Sequence, residues 1–215
     1  MVNKRWLLLV ILGWMLINMI RIGLPADNGE NLIFWMALQQ LWLILGSLMA
    51  LRNTVVLRWQ LKDFVRGFTA GLVLFFIINL LNLIIITGLS QVFGSEHVQS
   101  WLAQEQAGIS MLLGVEDPVR IGLAALLITV GASLSEELLF RGAMLKSLAQ
   151  VMPGKWAVFC SAIFFALVHF YLIQFIPVLI SGIILGRLFT ASDNLLRPIT
   201  AHAVVNTLAL LIYIL

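Results

Sequence analysis

The chain reads as an all-α, polytopic helical membrane protein of about seven transmembrane helices, folded as one integral membrane domain over residues 1–215. Three observations predict this. Hydrophobic residues make up 61% of the chain and charged residues 11%, against about 45–50% and about 25% in soluble domains, and the mean hydropathy is +1.04. Apolar runs near the roughly 20 residues needed to cross a bilayer recur from end to end. The basic residues fall on one side of those runs. No linker is long enough to separate two domains, and the N-terminal helices of 1–90 form an accessory part of the same unit.

Taken in order, the first span begins at Trp6 behind Lys4 and Arg5 and ends near Arg21, a pattern shared by signal peptides and anchors. Its apolar run is long for a cleaved signal, and Leu24-Pro25-Ala26 lacks the small-x-small cleavage pattern, so it is read as a retained helix. The next apolar runs predict spans at 32–51 and 65–89. Segment 90–117 is the longest loop. Within it Val98, Trp101 and Leu102, with Ile109, Leu112 and Leu113, predict an amphipathic piece lying in the interface, either as a Trp-anchored packing element or as a gate. Spans follow at 119–145, 156–172, 175–190 and 198–214, with a turn at Pro153-Gly154 and a break over 170–177 marked by Pro177. Gly182 and Gly186 form a close helix-packing face.

Charge tests the segmentation independently, because lysine and arginine accumulate on the cytoplasmic side. With the N-terminus inside, the inner set is Lys4, Arg5, Arg52, Arg58, Lys62, Arg66, Arg141, Lys146, Lys155, Arg187 and Arg197. Only Arg21 and Arg120 of the 13 basic residues fall outside. The outer loops hold most of the acids (Asp27, Glu30, Glu96, Glu105, Glu116 and Asp117), so the net charge of +3 reflects orientation in a membrane. The basic residues form no single face or tract, and no nucleic-acid partner is expected. Cys160 is alone, which rules out an internal disulfide and a cysteine-rich metal site and leaves a small packing residue.

Three short constellations carry the chemistry. In Glu136-Glu137-Leu138-Leu139-Phe140-Arg141, a helix puts Arg141 on the face of Glu137 and turns Glu136 about 100° away. The economical assignment pairs Glu137 with Arg141 and leaves Glu136 to project into a cavity; a purely structural ion-pair network is the alternative. In the second, Phe165 and His169 share a helical face, though a histidine beside Phe170 and Tyr171 near a span end also suits an interfacial role. In the third, His202 and Asn206 stack an imidazole and a carboxamide on one face of the last span, as a site or as a polar clamp between helices. Glu136 and His169 are nearly symmetric about Pro153-Gly154, so an antiparallel hairpin brings them to one level, roughly 21 Å from the turn. His202 is only four residues beyond Pro198, which requires the last helix to start below the interface or the 153–154 turn to project from it.

The ordered series Glu-Glu-x-x-x-Arg, Phe-x-x-x-His, His-x-x-x-Asn resembles the CaaX protease and bacteriocin-processing (CPBP, or Abi) family over about 119–206, with Gly182, Gly186 and the turn Asp193–Pro198 as further family-like features. The resemblance implies a catalytic core in the C-terminal four spans (119–215) and an intramembrane, CaaX prenyl endopeptidase-like activity. It implies Glu136 as the residue that activates water, His169 as the group that positions and deprotonates it, and His202 with Asn206 as oxyanion donors. Glu137, Arg141 and Phe165 are supporting residues. A carboxylate in an apolar site and a pair of N–H donors suit those roles chemically. Glu136, His169 and His202 also form a one-carboxylate, two-histidine set of the zinc type, but Asn206 fits an oxyanion donor better than a metal ligand, and a metal-free mechanism is preferred. The implied substrate is a membrane-associated or lipid-modified peptide or protein. A compact chain lacking organelle addresses fits a bacterial inner membrane. The competing classes are a non-catalytic scaffold or bacteriocin-immunity factor of the same fold, and a proton-coupled transporter, which the lack of repeated halves disfavours.

Overall fold

In the computed structural model, residues 2–23, 30–52, 54, 57–114 and 117–215 are described. The Leu24-Pro25-Ala26 stretch, the outer-loop acids Asp27 and Glu116 and the side chain of Glu30 lie outside the described residues. The elements are helices: α1 Lys4–Gly23, α2 Glu30–Ala50, α3 Leu61–Phe93, α4 Ser95–Leu113, α5 Pro118–Leu148, α6 Gly154–Leu167, α7 Phe175–Thr190 and α8 Leu196–Ile214. No strand occurs among the described residues. The protein is an all-α, multi-pass membrane protein. Among the described residues five helices, α1, α2, α3, α5 and α8, are long and apolar enough to cross a membrane. Their outward faces carry Leu8, Leu12, Met15 and Met19 on α1 and Val73, Phe76, Leu80 and Leu83 on α3, side chains that lipid suits and water does not.

The seven expected spans correspond to seven apolar helices, with two differences. Helix α6 stops at Leu167 rather than 172, and at 14 and 16 residues α6 and α7 reach only about 21 and 24 Å, less than the roughly 30 Å hydrocarbon core. The cause is local: the chain leaves the helix at Val168 and Phe170 adopts φ +55°, a left-handed conformation that a helix cannot absorb. The second difference is the expected interfacial piece, which is a full 19-residue helix, α4. Gly94, at φ +86°, closes α3 and opens α4, a backbone setting that glycine adopts without steric penalty. Val98 and Leu112 of α4 are buried, and Trp101 packs edge-on against Phe93 at 5.5 Å.

Two interfaces position the site. Helix α8 lies so close to α3 that a Cβ on Gly67 or Gly71 would stand 2.6 or 2.7 Å from the carbonyl oxygens of Arg197 or Ala201. One end of this pair is pinned by buried Asp63, whose carboxylate accepts from Arg197 Nε at 2.6 Å and from Asn194 Nδ2 at 2.7 Å. Asn194, in the α7–α8 turn, also accepts from Arg58 N and donates to Arg58 O. On the other side α6 and α7 pack through small residues: a Cβ on Gly182 would stand 3.0 Å from Ala162 Cβ, and one on Gly186 3.0 Å from Val158 Cγ1. Between them the main core gathers Val10, Leu43, Leu139, Phe140, Leu145 and Leu195 around α5.

Candidate active site

Helix α5 is α-helical over Ala132–Glu137 and π-helical on both sides, at Leu127–Gly131 and Leu138–Leu145. π-Helical turns are rare and concentrate at functional sites. Their i→i+5 bonding loosens the ladder and turns carbonyls toward neighbouring helices. Here those carbonyls are taken by side chains: Gln40 Nε2 of α2 donates to Leu127 O at 2.9 Å, Asn206 Nδ2 of α8 to Ile128 O at 3.0 Å, and Ser161 Oγ of α6 to Phe140 O at 3.0 Å. Three helices are thereby keyed to the one that carries the paired acids.

The two glutamates have different surroundings. Glu137 is fully buried, and its Oε1 accepts from Arg141 Nη1 at 2.8 Å and from His202 Nδ1 at 2.9 Å. A carboxylate can only accept, so the His202 Nδ1 carries a hydrogen and its Nε2 faces away from Glu137. Arg141, 1% exposed, spends a second N–H on Gly182 O at 3.2 Å and stacks its guanidinium 4.3 Å over the Phe165 ring. Glu136 is partly open, with its side chain 24% exposed. Its Oε2 makes no hydrogen bond within the protein and lies 3.9 Å from His202 Nε2.

His169 is not on a membrane helix, as the spacing of Phe165 and His169 predicts, but on the connector just past the α6 C-cap Val168. It still reaches back one turn: Nδ1 stands 2.6 Å from the Phe165 carbonyl, which only accepts, so Nδ1 carries a hydrogen and in the neutral imidazole Nε2 presents the lone pair. Its ring packs edge-on to Phe165 at 4.7 Å and lies 5.6 Å from Tyr171. Phe165, 2% exposed, thus has Arg141 over its face and both His169 and His202 around it, the latter at 6.0 Å.

Glu136, His169, His202 and Asn206 all line one cavity of about 560 Å³, in the size range of small-ligand and peptide pockets. Glu137 and Arg141 lie behind its wall rather than in it. Asn206 keeps one amide hydrogen beyond the bond to Ile128, because a carboxamide nitrogen carries two. Among the described residues no group of three His, Cys, Asp or Glu side chains stands ready to hold a metal ion.

The cavity also contains residues the spacing argument passes over. Gln39 and Gln40 of α2 and Asn79 and Asn82 of α3 line it, as does Glu105 of α4. The carboxamides carried a signal, since polar side chains inside apolar spans mark cavities by default. Asp63 and its partner Asn194 are separated by 131 residues, and nothing in their spacing links them.

Residues 118–208 match the family model described as type II CAAX prenyl endopeptidase Rce1-like, a stretch that contains all four cavity-lining motif residues. No curated protein and no solved structure matches the chain.

Proposed function

We propose that this chain, whose residues 118–208 match the type II CAAX prenyl endopeptidase Rce1-like family model, is an intramembrane endopeptidase that hydrolyses a membrane-associated or lipid-modified peptide without a metal. The observation that carries the proposal is the convergence of Glu136, His169, His202 and Asn206 on one cavity, with Glu137 and Arg141 held behind it. Water hydrogen-bonded to the Glu136 carboxylate and to the His169 Nε2 lone pair is oriented for attack on a peptide carbonyl in the cavity. Glu136 takes the proton as the C–O bond forms. The oxyanion receives the remaining Asn206 N–H and the His202 Nε2–H, which requires His202 to carry both protons, Nδ1 already donating to Glu137. Collapse breaks the C–N bond, and Glu136 returns its proton to the leaving amine. Glu137 and Arg141 touch no reacting atom in this scheme; they fix the His202 ring.

The orientation adopted with this reading puts the N-terminus in the cytoplasm of a bacterial cell. The test is comparative membrane peptidomics of wild type against Glu136→Ala, expected to show one or a few precursors accumulating in the variant. Unchanged peptide profiles with an unchanged phenotype in well-accumulated Glu136→Ala would assign the fold to a non-catalytic scaffold or immunity factor instead.

A further inference from the structure

Helix α4 lies outside the stretch that matches the family, yet one of its side chains reaches the connector that carries His169. Glu105 Oε1 accepts from Leu172 N at 2.6 Å and from Ile173 N at 2.7 Å, and its Oε2 accepts from Gln174 N at 3.4 Å. Those three N–H groups immediately precede α7, which begins at Phe175, where the backbone donors of a first turn have no partner inside the helix. Gln174, the N-cap residue, makes no side-chain cap of its own. A carboxylate on such a terminus gains both charge-assisted hydrogen bonds and the favourable end of the helix dipole. The same connector contains Phe170 in the left-handed region, a conformation a bulky residue holds only when its surroundings impose it. Two to four residues further along, Glu105 holds the same connector from outside the α6–α7 hairpin.

We propose that Glu105 is a positioning residue for the hydrolytic site. By clamping N–H groups of residues 172–174 it fixes the connector 168–174, and through it the direction of His169 Nε2 and of the Tyr171 ring that packs on it. This rests on the reading of His169 as the group that orients water. The clamp also ties α4 across the cavity, since Glu105, Gln106, Ile109 and Leu112 line it, and Ser110 Oγ shares a hydrogen bond of 2.7 Å with Tyr213 Oη near the end of α8. The expected interfacial piece is therefore part of the site wall.

The test uses the full chain in detergent or nanodiscs, as wild type, Glu105→Ala and Glu105→Gln. Amide exchange of Leu172, Ile173 and Gln174 is expected to quicken about tenfold or more in Glu105→Ala while that of Leu185 in α7 stays unchanged, the signature of a local opening. Carbethoxylation of His169 by diethyl pyrocarbonate should change severalfold and that of His202 should not. Turnover of the peptide that accumulates in Glu136→Ala membranes should lose about tenfold in kcat with KM within about twofold, as misplacing the group that orients the attacking water predicts. Glu105→Gln keeps one acceptor oxygen and should fall between wild type and Glu105→Ala in all three readouts. If Glu105→Ala fails to accumulate, Glu105→Gln carries the same readouts with smaller shifts. Unchanged exchange and unchanged His169 reactivity, or a loosened connector with full kcat, overturns the clamp alone. A wild type that cleaves nothing overturns the endopeptidase reading, and the catalytic purpose of the clamp with it.

Discussion

Removing the charge of Glu137 tests whether the adjacent acids divide their labour as their surroundings imply. Its Oε1 is the shared acceptor for Arg141 Nη1 at 2.8 Å and His202 Nδ1 at 2.9 Å, with the Arg141 side chain 1% and the Glu137 side chain 0% exposed. Breaking a buried pair by removing one partner costs about 3–5 kcal/mol, because the remaining charge is left unpaired in low dielectric. Glu137→Gln keeps an acceptor oxygen, and Arg141 keeps the Gly182 carbonyl and the Phe165 face. The cost should then fall near the lower bound, about 3 kcal/mol, or about 6–12 °C in Tm for a chain of this size. Glu137→Ala should approach the upper bound. Replacing both partners, as Glu137→Leu with Arg141→Met, should recover part of the loss, since no isolated charge is left. The assay is accumulation in membranes and thermal unfolding in detergent, with Glu136→Gln measured alongside. Glu136→Gln should accumulate and melt like wild type and lose turnover by about 10²–10⁴-fold. A Glu136→Gln protein that fails to accumulate beside a stable Glu137→Gln protein would show that the two roles are exchanged.

Asn206→Ala should lower kcat by about 10²–10³-fold through the lost oxyanion donor, and freeing the Ile128 carbonyl should also lower Tm by a few degrees; a variant with unchanged kcat removes Asn206 from the mechanism. Activity should survive chelation, and His202→Gln should keep a trace of turnover because a carboxamide still donates; stoichiometric zinc lost and regained together with activity would refute this. Reporter fusions at Leu215 should place the C-terminus outside, since the inner side then holds all basic residues but Arg21 and Arg120, and a cytoplasmic C-terminus would overturn the seven-span orientation.

The fold class was legible because composition and hydropathy are properties of whole segments, and the apolar runs of α1, α2, α3, α5 and α8 are long enough to announce themselves. The i,i+4 spacing of Glu137 and Arg141 likewise encodes a contact within one helix. Three things were not legible. The early end of α6 depends on a left-handed Phe170, a residue type that carries no turn signal. The π-helical turns of α5 depend on which partners donate to its displaced carbonyls, namely Gln40, Asn206 and Ser161 on three other helices. The start of α8 depends on the α7–α8 turn, where Asn194 and Leu195 are fully buried and the helix begins at Leu196, two residues before Pro198. Contacts between residues over a hundred positions apart leave no periodicity to read.

The paired π-helical turns also constrain how this helix can change over evolutionary time. Each accommodates the equivalent of an inserted residue, so the segment carrying Glu136 and Glu137 is set in angular phase by two local expansions of the spiral, one ahead of it and one behind. Deleting a single residue from Leu127–Gly131 would restore a regular α-helix at that point while rotating everything before it by about 100° relative to the acids. A regular helix would then be obtained at the expense of registry: Gln40 and Asn206 would no longer find the carbonyls they now reach, while the Glu137–Arg141 pair, downstream of the deletion, would stay intact. Length changes in α5 are thus far more disruptive than substitutions of similar size, and its residue count is as much a part of the design as the identity of its acids.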